Sequence, residues 1–169
     1  MYRYLSALAF SALLMAPAAQ AEIMSISAMG FDPQYPFVAG VDHPTQVNGV
    51  MVPSGRTIFY APVQFPVNGQ EVCAVYLTFD DSNVNEKIFA QLIRKPIIFG
   101  SASEDSQQIM ATVNSFGSSG DMRRASTIAI ALRKINNGSC FYFVKVTAEN
   151  FNTVLVGVQI DYRPVCPLA

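Results

Sequence analysis

The sequence predicts an all-β protein: a single antiparallel β-sandwich, jelly-roll-like or Ig-like, behind an N-terminal signal peptide. Short apolar segments with period-2 alternation recur at a spacing of about 12 residues, the pattern of a sandwich. Between them fall Gly, Pro, Asn and Asp, residues that turn the chain for local conformational reasons. The composition, 51% hydrophobic and 14% charged, supplies enough apolar surface for one sizeable core.

The chain opens with Arg3 in a short basic segment, then an apolar run from Leu5 to Met15, then Pro17 and Ala18-Ala19-Gln20-Ala21. A basic start, an apolar centre and an Ala-x-Ala end form a secretory signal, cleaved after Ala21. The run is well short of the roughly 20 residues needed to span a bilayer. Residues 1–21 are therefore read as signal and residues 22–169 as one domain, secreted or periplasmic. The net charge of −1 becomes −2 when Arg3 leaves. Without clustered Lys and Arg there is no footprint for nucleic acid or an anionic membrane, and Arg123-Arg124 reads as a solvated pair.

Ile23 to Ser27 suits an edge strand. From there to Gly55 the chain is rich in turn formers, and Val47-Asn-Gly-Val50 carries the signature of a tight hairpin. Tyr35 and Phe37 stand among prolines, as a candidate interaction loop or as packing over one end of the sandwich. Arg56 to Phe65 reads as a strand in which Pro62, lacking an N–H, implies an edge or a bulge. Glu71 to Phe79 follows, with Cys73, Val75, Leu77 and Phe79 on its core side by the period-2 rule.

Lys87 to Arg94 alternates Ile88, Ala90 and Leu92 against Phe89, Gln91 and Ile93. Helix over Asn85 to Arg94 also fits these positions, but the alternating neighbours favour strand. Gln108 to Asn114 is a short strand, Ser115 to Asp121 a flexible excursion, and Thr127 to Ile135 the next strand. Cys140 to Tyr162 then forms the clearest hairpin, turning at Ala148 to Asn152. Its first strand is apolar on both sides, with Cys140, Tyr142, Val144 and Val146 opposed to Phe141 and Phe143. That places it at the covered centre of the sandwich.

Three cysteines, Cys73, Cys140 and Cys166, enter an oxidising compartment, so one disulfide and one spare thiol are expected. Pairing Cys140 with Cys166 ranks first, because the hairpin brings Cys140 near Asp161. Cys73 with Cys166 ranks next and Cys73 with Cys140 last. No Cys-x-x-Cys motif is present, which argues against a thiol oxidoreductase or a zinc ribbon.

The stretch Phe59-Tyr-Ala-Pro-Val-Gln-Phe-Pro-Val-Asn-Gly69, the strand Val75 to Asp81, the segment Cys140 to Val146 and the closing Val156-Gly-Val-Gln-Ile-Asp-Tyr162 resemble a group of uncharacterised exported bacterial β-sandwich proteins. The resemblance implies a sandwich outside the cytoplasm and brings no catalytic residues with it. Phe65 stands where that group has Leu, and Val67-Asn68 places two residues before Gly69.

Candidate chemistry is sparse. His43 is the only histidine, and no Gly-x-Ser-x-Gly nucleophile elbow accompanies it. Asp81, Asn83 and Asn85 stand at alternate positions, the way a loop begins to wrap calcium. Glu86 replaces the glycine expected next, and an Asp/Asn turn explains the same residues. No carboxylate pair is singled out for glycoside hydrolysis. The chain has no Trp, which weakens a sugar platform, although Tyr35, Tyr60 and Tyr142 could substitute. Met24 and Met29 read as packing, and Asn137-Gly-Ser139 matches a glycosylation acceptor that is also an ordinary turn.

The expectation is an exported non-catalytic protein that binds or assembles, with a protein or glycan partner, a homo-oligomer among its possible states, and no cofactor beyond the calcium alternative. The alternatives are a hydrolase-like enzyme using loop carboxylates and a fimbrial-type subunit completed by a donated strand.

Overall fold

The computed structural model describes residues 21–34, 45–47, 49–52, 56–81, 87–97, 106–116, 119–149 and 153–167. These form eleven strands: β1 Glu22–Ser27, β2 Asp32–Pro33, β3 Thr45–Val47, β4 Val50–Val52, β5 Thr57–Val63, β6 Glu71–Asp81, β7 Ile88–Pro96, β8 Gln108–Asn114, β9 Ser119–Thr127, β10 Cys140–Ala148 and β11 Thr153–Arg163. A 3-10 turn, Ala28–Gly30, follows β1. No helix among the described residues is long and apolar enough to cross a membrane.

The strands make two antiparallel sheets. One runs β3-β4-β11-β6-β9, with β1 also pairing β11, and the other runs β2-β5-β10-β7-β8. Local sequence accounts for much of this. Val47 pairs Val50, and between them Gly49 takes the positive φ of 80° that a tight turn needs. Strand rather than helix forms from Ile88 to Pro96, because Ile88, Ala90 and Leu92 all point into one core. Pro62 lies on β5 beyond the two residues that β2 covers, so its missing N–H faces an open edge.

The expected hairpin of residues 140–162 is corrected. β10 and β11 lie in opposite sheets. Cys140, Tyr142, Val144, Val146 and Ala148 face Leu155, Val158, Ile160 and Tyr162 through the core. The connection 149–152 is long enough to cross the roughly 10 Å between packed sheets. Two strongly apolar rows bury each other better across a sandwich than side by side in one sheet. β10 is central within its sheet, between β5 and β7, but it is not covered on both sides: Phe141 is 65% exposed.

A second correction concerns residues 115–135. β9 begins at Ser119, and the run from Ile128 to Ile135 is no strand. It straps the two sheets together instead. The Ala131 N–H donates to the Met110 carbonyl on β8, while the Val72 N–H donates to Arg133 and the Ile135 N–H to Gln70. Leu132 adopts a positive φ of 54° to make that crossing, and only Ile130 and Ile135 of the run are buried.

Two β-bulges re-aim side chains that strict alternation misplaces. On β11 the register shifts between Leu155 and Gly157, so Leu155 and Val158 both face inward and Val156 does not. On β6 the shift falls opposite Asp161 and Tyr162. Val72 and Val75 both join the core cluster while Cys73 does not.

That bulge settles the disulfide. Cys73 bonds Cys166 with a Cα–Cα distance of 5.3 Å, and Cys140 is the buried free thiol. The pairing of Cys140 with Cys166 fails because β10 is in the other sheet and Cys140 points into the core. Glu71 pairs Arg163, so the tail beyond β11 passes the start of β6, where the Cys166 N–H donates to the Glu71 carboxylate at 3.1 Å.

Candidate functional site

With each core-facing row assigned, the outward rows follow from the register. On the five-stranded sheet, β10 turns Phe141, Phe143, Lys145 and Thr147 away from the core. Pro62, Phe143 and Ile93 align across β5, β10 and β7, with Ile109 of β8 beside Ile93; Ile93 is itself buried, and Ile109 is the exposed group at that end. The next row reads Asp32, Tyr60, Lys145, Gln91 and Thr112 across all five strands. An apolar row thus runs directly beside a polar one. Alternation produces this because the two rows sit two residues apart along β5, β10 and β7, and three apart on β8, where the register shifts.

The rings of Tyr60 and Phe143 bridge the rows, with centroids 5.9 Å apart and planes tilted by 56°. Phe141 extends the aromatic line by one further outward position, and its ring is the most exposed on this face. Beside it lies a depression of about 410 Å³ bordered by Pro62, Gln64, Phe141 and Asn137. Asn137 is fixed there, its side-chain amide donating to the Phe65 carbonyl at 2.8 Å and its backbone N–H donating to the Asn68 side chain at 3.1 Å. This corner therefore offers apolar ring faces next to anchored amides. Such pairing suits a ligand with one apolar face and a rim of hydroxyls.

The residues singled out from sequence are dispersed. Tyr60 is on this face. Tyr142 is not: it is 5% exposed, packs edge-on against Phe65 at 5.2 Å, and its hydroxyl accepts the Asn136 N–H at 2.7 Å. Burial pushes its pKa above the usual tyrosine value, outweighing that hydrogen bond. Tyr35, Phe37, His43, Asn83 and Asn85 lie outside the described residues. Asp81 closes β6, and among the described residues no three His, Cys, Asp or Glu side chains group as metal ligands. Met24 packs on the core, whereas Met29 is exposed.

Sequence reasoning missed Phe141 and Phe143 as surface groups, because an apolar strand looks covered on both sides until its neighbours are known. It also read Arg124 as free. On the opposite sheet the Arg124 guanidinium lies 4.0 Å from the Tyr76 ring centroid and donates to Gln159 at 2.6 Å.

No protein-family model and no curated protein matches the chain. Among solved structures it is similar to the xylan-binding module CBM15, with a TM-score of 0.52 and 9% identity over 84% of this chain and 97% of that one. The likeness is one of fold, an antiparallel β-sandwich. The C-terminal CBM6 of a marine laminarinase from Zobellia galactanivorans has a TM-score of 0.47 and 9% identity, covering 82% of this chain and 98% of its own. A family 29 carbohydrate-binding module from Piromyces equi has a TM-score of 0.43 and 13% identity, covering 86% and 92%.

Proposed function

We propose that this chain is an exported glycan-binding β-sandwich whose ligand lies across the outer face of the five-stranded sheet. The observation that carries the reading is the apolar row Pro62, Phe143 and, beyond the buried Ile93, the exposed Ile109 running beside the polar row Asp32, Tyr60, Lys145, Gln91 and Thr112. Phe141 stands exposed at the open end of that strip. A sugar ring would rest its apolar face on Phe141 and Phe143. Its hydroxyls would then meet the side chains of Gln64, Lys145 and Gln91. Export is supported by the signal-like residues 1–21 and by the Cys73–Cys166 disulfide, a bond that persists in oxidising compartments. Completion by a donated strand is disfavoured, since Leu77, Phe79, Val144 and Val146 are already fully buried.

Affinity electrophoresis of the mature protein through gels containing xylan, β-1,3-glucan or mannan tests the reading. Wild-type protein is expected to be retarded by at least one of these polymers. Phe141→Ala and Tyr60→Ala should each weaken that binding about tenfold or more, the scale of losing a central aromatic anchor. Retardation unchanged in both variants, or no retardation by any neutral glycan, would refute it.

A further inference from the structure

The outer face of the six-stranded sheet carries a second, chemically different arrangement. Its rows read Ser126, Tyr76, Gln159 and Ser25, then Arg124, Thr78, Gly157 and Ser27. The side chains along the first row are linked. Gln159 accepts from Arg124 at 2.6 Å and donates to the Ser25 hydroxyl at 3.1 Å, while the Arg124 guanidinium stacks on Tyr76. These bonds hold a flexible side chain in place before any ligand arrives, which lowers the entropic cost of binding.

Tyr76 also borders a depression of about 240 Å³ lined by Ile128, Arg133, Asp161, Arg163 and the Cys73–Cys166 disulfide. A second, of about 290 Å³, is lined by Ser25, Ser27, Thr78 and Gln159. Arg124 stacks on Tyr76, while Arg133 and Arg163 line the depression beside it, Arg133 donating to the Ile128 carbonyl at 3.3 Å. Asp161 neutralises only Arg163, gripping it through both carboxylate oxygens at 3.1 and 2.7 Å. A second carboxylate, that of Glu71, stands at the rim of the same depression, where it accepts the Cys166 N–H at 3.1 Å, so three guanidiniums face two carboxylates; Asp80, four residues from Tyr76 along β6, is about 13 Å away. In a chain of net charge −1 this is a local positive field over a row of hydroxyl and amide groups.

We infer that this face is a second binding surface, selective for a carboxylate-bearing polysaccharide built of uronic acid units. Arg124 and Arg133 take the carboxylates, because a planar guanidinium pairs a carboxylate through two parallel hydrogen bonds. Ser25, Ser27, Thr78 and Gln159 meet ring hydroxyls. An acidic peptide would present carboxylates too, but it offers few hydroxyls for the Ser/Thr/Gln row. This surface is separate from the aromatic strip on the other sheet and does not depend on that strip binding anything.

Isothermal titration of the mature protein with polygalacturonate, with polyglutamate as the peptide control, decides it. Polygalacturonate is expected to bind, to weaken as salt rises from about 50 to about 300 mM in the manner of about two ion contacts, and to exceed polyglutamate by about tenfold. Arg124→Gln and Arg133→Gln should each reduce polygalacturonate binding about tenfold, with unchanged circular dichroism and melting. Phe141→Ala should leave it intact, which separates this outcome from failure of the strip. Absence of polygalacturonate binding, equal binding of polyglutamate, or indifference to both arginine variants would overturn the inference. Should one variant fold poorly, the other still decides the question, since the two arginines come from different segments.

Discussion

Gly157 lies directly against the backbone of β1: a Cβ at that position would stand 2.6 Å from the Ile26 carbonyl oxygen and 3.4 Å from the Ser27 Cα. Among the described residues β1 pairs only with β11, so its seat on the sandwich depends on this missing side chain. The bulge at Val156 is what brings Gly157 beneath it.

Gly157→Ala should therefore lift β1 while leaving the five-stranded sheet intact. Overpacking of this kind costs about 1 to 3 kcal/mol, and for a domain of this size that lowers Tm by several degrees. Hydrogen exchange should show faster amide exchange confined to residues 22–27. An unchanged melting curve with protected β1 amides would show that β1 is not seated on Gly157.

The cysteine assignment predicts a sharp asymmetry. Cys73 and Cys166 are 93 residues apart, and closing a loop of that length stabilises by about 4 to 5 kcal/mol in the chain-entropy account. Cys73→Ser with Cys166→Ser should lower the denaturation midpoint strongly, whereas Cys140→Ser should change it little. Native protein should show no thiol reactive to Ellman's reagent and one after unfolding, because Cys140 is buried. Peptide mapping that links Cys140 to either partner would contradict the structure.

Alkaline pH should expose the tyrosine environments. Burial raises the pKa of Tyr142. It also raises that of Tyr162, whose hydroxyl further donates to the nearby Glu22 carboxylate and feels its charge. A raised folded-state pKa means that the unfolded chain gives up its proton first. The stabilisation is thus complete below the unfolded value, near 10, and is lost as pH climbs through the higher folded value. Absorbance titration in the near ultraviolet should show two late-ionising tyrosines, with Tm falling over the same interval. Tyr142→Phe should remove one late step, and simultaneous titration of every tyrosine near the ordinary value of about 10 would contradict the assignment.

Part of the candidate site was legible before the structure. Tyr60 and Pro62 lie in a segment whose alternation and proline mark an edge strand, and both face outward as that pattern implies. Phe141 was not legible, because its neighbours Phe143 and Tyr142 are equally apolar and composition does not say which side meets the other sheet. Arg124 was missed for another reason. Its partners Tyr76 and Gln159 are far away in sequence, and only the pairing of β6 with β9 and β11 brings the three together.

Local physics in the sequence determined the class of fold, most strand positions and the tight turn at Gly49, since alternation, β-branching and turn chemistry act over a few residues. Tertiary structure alone decided which strands share a sheet, sent β10 and β11 to opposite sides of the core, and paired Cys73 rather than Cys140 with Cys166. Those outcomes depend on two bulges and a crossing strap. A one-residue insertion reverses every side chain beyond it, and whether the partner strand accommodates that insertion is settled only when both sheets pack.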